Sequence, residues 1–116
     1  MSAVQSPVSD MLVTVKSREL QRAMLAEMRG DRAVASRHFL AAGHLELVLA
    51  DDYEQAGETE LALRSRLSAG SCFWRGGQQE EASQLFESLA NANPTQATEI
   101  KQLIAEIAAD FPALAS

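Results

Sequence analysis

The chain is expected to fold as an all-α antiparallel bundle of about five helices, and three observations predict this. Alanine, leucine, glutamate and glutamine are frequent, while 116 residues hold only three prolines and six glycines, so propensity favours helix over most of the length. Apolar residues recur at helical spacings that place them on one side of each segment. The third observation is a repeated pattern around Gly30, Gly57 and Gly77. Ala26, Tyr53 and Phe73 stand four residues before them, Ala23, Ala50 and Gly70 seven before, and Ala35, Ala62 and Ala82 five after. A glycine turn between two closely approaching helices accounts for all of these positions.

Each element follows in order. Residues 1–7 read as a flexible tail, 8–111 as a single domain and 112–116 as a second tail. Ser6-Pro7 or Ser9-Asp10 starts helix one, by proline in the first turn or by a side-chain cap. It should run from Val8 to Arg29, with Val13, Leu20, Met24 and Met28 as its buried stripe and Ser17 and Ala23 between them. Asp31 can cap helix two, which continues to Ala56 over roughly 39 Å. Ala35, Phe39, Ala42, Leu45, Leu49 and Tyr53 form its inner stripe, widened by Val34, Ala41 and Val48. Gly43 inside it marks a bend or a close crossing.

Helix three should span Glu58 to Arg75. Leu61, Ala62, Ala69, Cys72 and Phe73 lie on one side, and Leu63, Leu67, Gly70 and Trp74 on another, so it needs two neighbours. Gly76-Gly77 closes it. Helix four follows from Gln78 to Asn91 with Ala82, Leu85, Phe86 and Leu89 buried. Asn93-Pro94-Thr95-Gln96 then has the form of a new start, with Asn93 capping and Gln96 reaching back. Helix five is Thr95 to Asp110, with a narrow seam of Ile100, Leu103, Ile104 and Ile107 that caps the last hairpin or mediates self-association. Turns this short make successive helices antiparallel.

Composition restricts function. A net charge of −6 with ten Lys and Arg argues against a general nucleic-acid or anionic-membrane surface. The single cysteine, Cys72, cannot form an internal disulfide, and neither a leader pattern nor a long apolar run is present, so cytoplasm is the default location.

The segment Gly70 to Pro94 reads G-x-x-F-x-x-x-G-x-x-x-x-A-x-x-x-F-x-x-L-x-x-x-x-P and resembles the tetratricopeptide repeat, with Gly70, Phe73, Gly77, Ala82, Phe86, Leu89 and Pro94 at motif positions. Ala23, Gly30, Ala35, Phe39 and Ala42 match in a first unit, and Ala50, Tyr53, Gly57, Ala62 and Ala69 in a second, where Arg66 replaces the usual large apolar residue. The glycine turns are 27 and 20 residues apart instead of about 34. Each long helix must therefore close one unit and open the next. The resemblance implies a non-catalytic module that binds a protein or peptide partner in a groove. By motif position that groove is lined by Leu20, Met24 and Met28, by Leu47, Asp51 and Glu54, and by Leu67, Ser71, Trp74 and neighbouring Arg75. Asp51 and Glu54 disfavour an acidic peptide tail. A small cytoplasmic adaptor or regulatory subunit is the function so implied, and a self-assembling structural bundle, a homodimer without a groove, is the alternative.

No chemistry-bearing constellation competes, and no catalytic residue, metal or cofactor is assigned. His38 and His44 are six apart and out of phase on a helix, so a surface or partly buried pair is expected. Cys72 beside Phe73 reads as a small core residue. Ser68 to Ser71 lacks the second glycine of a nucleophile elbow, and Gly76-Gly77 lacks a phosphate loop's lysine and spacing. Trp74 either plugs one end of the bundle or anchors a partner. Met24 and Met28 either pack inside or line an adaptable surface. Arg18, Arg22, Arg29 and Arg32 pair with acids such as Glu46 and Glu54 or face solvent, and Asp51, Asp52 and Glu54 form a solvated face.

Overall fold

The computed structural model describes residues 7–112, with side chains from Val8 onward. It has helices α1 (Pro7–Met28), α2 (Arg32–Gln55), α3 (Thr59–Arg75) and α4 (Gln79–Ala92), a single 3₁₀ turn (Pro94–Gln96) and α5 (Ala97–Asp110), with no strand among these residues. Each helix packs on the next, α1 on α2, α2 on α3, α3 on α4 and α4 on α5. The result is a slab of 48 × 32 × 16 Å, compatible with a helical repeat. The expected tails fall almost wholly outside the described residues. Pro7 itself is the first residue of α1, so the helix starts at the proline. Ser9 is no cap: it is buried, and its hydroxyl donates to Asp52 Oδ2 on α2 at 3.2 Å.

The repeated glycine pattern corresponds to one turn built three times. Gly30, Gly57 and Gly77 have φ of 77, 80 and 89°, a left-handed backbone that side chains disfavour. The residue after each glycine donates its N–H to the carbonyl four before the glycine: Asp31 to Ala26, Glu58 to Tyr53 and Gln78 to Phe73, at 2.8–2.9 Å. Each glycine N–H bonds three residues back, which completes the Schellman arrangement. Ala35, Ala62 and Ala82 then donate to Asp31, Glu58 and Gln78 at 3.0 Å in the first turn of the next helix, and all three alanines are fully buried. Asp31 also caps α2, accepting from Val34 N–H at 3.2 Å.

The core is made of small residues with a few aromatics wedged between them. Ala23, Ala26, Ala35 and Phe39 join α1 to α2, while Ala69, Phe73, Ala82, Phe86 and Ile107 join α3, α4 and α5. Leu89, Ala90 and Ile100 close the α4–α5 end. α2 is continuous through Gly43, which permits the close crossing, since a Cβ there would meet Phe73 Cε1 at 2.7 Å. α3 has two neighbours, as its two apolar sides require.

Three expectations need correction. On α1 the residues that pack inward are Ala23 and Ala26, with Leu20 partly buried beside them, whereas Met24 and Met28 are 44 and 84% exposed. A helix against one neighbour buries the side that lets backbones approach, and small residues do this better than methionines. Val48 on α2 is likewise exposed. Asn93 donates through Nδ2 to Leu89 O, closing α4, and neither Asn93 nor Gln96 supplies a side-chain cap to the following helix.

Candidate functional site

Two regions collect the side chains with functional potential: the turn end of α3 and the outer surface of α1. At the first, Arg75 ends α3 with its guanidinium between two rings, 4.4 Å from the Phe39 centroid and 4.1 Å from that of Phe111. Such faces attract a cation through their quadrupoles. Its Nη2 donates to Glu27 Oε1 at 2.8 Å, and Arg32 Nη1 lies 3.5 Å from the other Glu27 oxygen. Its Nε is buried without a hydrogen-bond partner among the described residues. Next to it Trp74 donates its indole N–H to the Phe111 carbonyl at 2.6 Å. The residue just past α5 is thereby fastened to the end of α3, and Arg75 links α1, α2 and α3 to it. Trp74, Arg75, Glu27, Arg32, Asp110 and Phe111 are among the walls of a cleft of about 260 Å³.

The other groove candidates go to different places. Leu20 packs beside the α1–α2 cluster, and Leu47 and Leu67 against the α3–α5 core. Ser71 donates to its own helix at Leu67 O, 3.2 Å away. Asp51 and Glu54 are held by Arg66, at 3.4 and 2.7 Å. The hydrogen bond that Arg66 donates to Glu54, with that to Asp51 and the charge of both carboxylates, keeps the guanidinium's pKa above its ordinary value. Arg66 thus stretches outward where the first and third units hold Phe39 and Phe86. Asp51 and Glu54 thus form the expected solvent-facing surface with Arg66 across it, and Asp52, half-buried beside them, accepts from Ser9.

Arg18, Arg22, Arg29 and Arg32 face solvent or pair with acids as expected, but the acids are not Glu46 and Glu54. Arg22 pairs with Glu19 at 3.0 Å and Arg32 with Glu27, while Glu46 is met by Lys16 at 3.7 Å and Glu54 by Arg66. Spacing along the sequence could not show which acids α2 and α3 would already occupy. Glu46 is a buried acid between α1 and α3. Burial raises its pKa above 4.5, and Lys16 and the hydroxyls of Ser65 and Ser68 oppose the rise.

Around the two histidines the geometry is local. Glu19 Oε2 lies 2.5 Å from His38 Nδ1, and the hydrogen bond from His38 is the main cause of a lowered Glu19 pKa. His44 is exposed, with its ring edge on Phe73 at 5.1 Å. No group of three or more His, Cys, Asp or Glu among the described residues is placed to hold a metal ion. Cys72 is buried, and burial with nearby Glu46 pushes its thiol pKa to about 11, leaving it protonated at neutral pH.

On α1 the outer surface carries most of the exposed large apolar residues: Val8, Met11, Val15, Met24, Leu25 and Met28, with Val48 of α2 as the other. Sequence reasoning identified the two later methionines but not Val8, Met11, Val15 and Leu25, whose only signal was an apolar character running all round the helix. It also gave Phe111 no role, although Phe111 partners Trp74 and Arg75. No described helix is long and apolar enough to cross a membrane. Compared with models of known families, with curated proteins and with solved structures, the chain matches none of them.

Proposed function

We propose that this chain is a non-catalytic protein-interaction module, a small cytoplasmic adaptor or regulatory subunit, that holds a partner segment on the Met24–Met28 side of α1. The observation that carries the reading is the gathering of exposed large apolar residues on one edge helix, where a protein acting alone gains nothing from displaying them. Methionine suits this use because its flexible thioether repacks against differing partners. The tetratricopeptide-like pattern adds support, since Met24 and Met28 fall at positions that line the groove in that family. The closed Trp74–Phe111 contact argues for contact on α1 over the far end of α3, where the Trp74 indole and the Arg75 Nη2 already have internal partners.

The test is capture from lysate of the native host with wild type and with a Met24→Glu, Met28→Glu double variant whose helical circular dichroism and melting match wild type. A partner held by wild type and lost by the variant supports the reading. The same partner held equally by both refutes it.

A further inference from the structure

We infer that the opposite flank of α1 is a self-complementary face that pairs with the same face of a second copy of this chain, with the two helices antiparallel. This goes beyond the adaptor reading and does not depend on it. At about 100° per residue, Met24 lies about 140° around the helix from Met11, so the two surfaces are separate.

Val8, Met11, Val15 and Arg18 are all exposed and follow one another at spacings of three, four and three, the seam of a helix that meets another helix lengthwise. Val8 and Met11 are 60 and 66% exposed. The first half of α1 is held to α2 by polar contacts, Ser9 to Asp52 and Lys16 to Glu46, and Leu12 and Val13 are half-buried, which leaves Val8, Met11 and Val15 exposed on the other flank. A shallow groove of about 380 Å³ runs along this flank, lined by Asp10, Met11, Thr14, Val15 and Arg18. Charge decides the occupant. The groove has an acid at one end and a base at the other, neither in an ion pair among the described residues, with Met11 and Val15 between them.

A two-fold axis near Val13 sets Met11 of each copy against Val15 of the other. It lays the Arg18 stem over Val8, and brings each Arg18 head to the other copy's Asp10. Residue and partner exchange roles, as an isologous contact demands. The face covers about three turns, so it buries less than a permanent interface and the dimer is concentration-dependent.

Sedimentation over a concentration series tests this on the full chain. Wild type should pass from monomer to dimer. Arg18→Asp, at an exposed position, should weaken the dimer by at least about tenfold because two acids then face each other, and Asp10→Arg combined with Arg18→Asp should restore it. Thr14→Cys, close to the axis, should form a disulfide-linked dimer on oxidation. A protein monomeric up to about 1 mM overturns the inference. A dimer indifferent to the charge swap and not trapped by Thr14→Cys also overturns it, because the copies then meet elsewhere. Either failure leaves the capture result on Met24 and Met28 untouched.

Discussion

Replacing Gly70 by alanine places a methyl group where the Phe86 ring now lies. The added Cβ would stand 2.5 Å from Phe86 Cε1 and 2.6 Å from Cζ, whereas ordinary contact begins near 3.4 Å, so the ring must move by about 0.9 Å. Phe86 is fully buried and touches Ala69, Phe73, Ala82 and Ile107, which leaves it little room to move. Overpacking of this kind costs about 1–3 kcal/mol, and the fixed neighbours put this case at the upper end. Alanine in a helix interior returns about 1 kcal/mol relative to glycine. The net loss is therefore about 1–2 kcal/mol, or a Tm lower by roughly 4–8 °C for a domain of this size. Urea unfolding followed by circular dichroism and by the lone Trp74 measures it. A second variant isolates the cause, since Phe86→Leu shortens the obstructing ring and should make Gly70→Ala less costly by about 1 kcal/mol than in wild type. If Gly70→Ala is neutral or stabilising, or if the two changes add independently, the close approach is not what requires glycine there.

Three further outcomes follow from other sites. Gly57→Ala meets no atom within 4 Å, so its cost is that of left-handed backbone alone, about 1–2 kcal/mol by urea unfolding, and Phe86→Leu should not relieve it. The raised pKa of Glu46 means the folded chain holds that proton more tightly than the unfolded one. The stability linked to it is present below about 4.5 and is lost as pH rises through the folded value, so wild type should lose stability relative to Glu46→Gln as pH rises above about 4.5, and parallel curves would refute the burial. Cys72, buried and with its thiol at about 11, should resist a thiol-specific dye at mildly alkaline pH in the native state and react once denaturant is added, whereas fast native labelling would show the site to be open.

The turns and the inner side of α2 were legible in the sequence because glycine and alanine there answer to backbone requirements, which are local. Gly30, Gly57 and Gly77 needed left-handed φ, and the alanine five residues on marks the first buried position of the next helix. The inner side of α1 was not legible for a related reason. Reading by hydrophobicity ranks Met24 and Met28 above Ala23 and Ala26, yet a close crossing selects for size, and the alanines won. Buried Ser9, Glu46 and Ser65 escaped notice because their partners are far along the chain. Arg75 stood out as an arginine beside the sole tryptophan. That its guanidinium would lie between Phe39 and Phe111 required knowing that the end of α5 returns to the end of α3.

The fully buried alanines Ala23, Ala35, Ala42, Ala50, Ala62, Ala69 and Ala82 have a consequence for how this gene can drift. A single base change in an alanine codon gives serine, proline, threonine, valine, glycine, aspartate or glutamate, and each of these but glycine adds atoms where adjoining backbones leave no space. Glycine, the one exchange that fits, loosens its helix by about 1 kcal/mol. Mutation at these positions has almost no tolerated exit, while exposed positions away from the proposed contact surfaces of α1 have room to vary. Sequence change in descendants of this chain should therefore accumulate on solvent-facing positions outside its contact surfaces and stall along the seams between its helices.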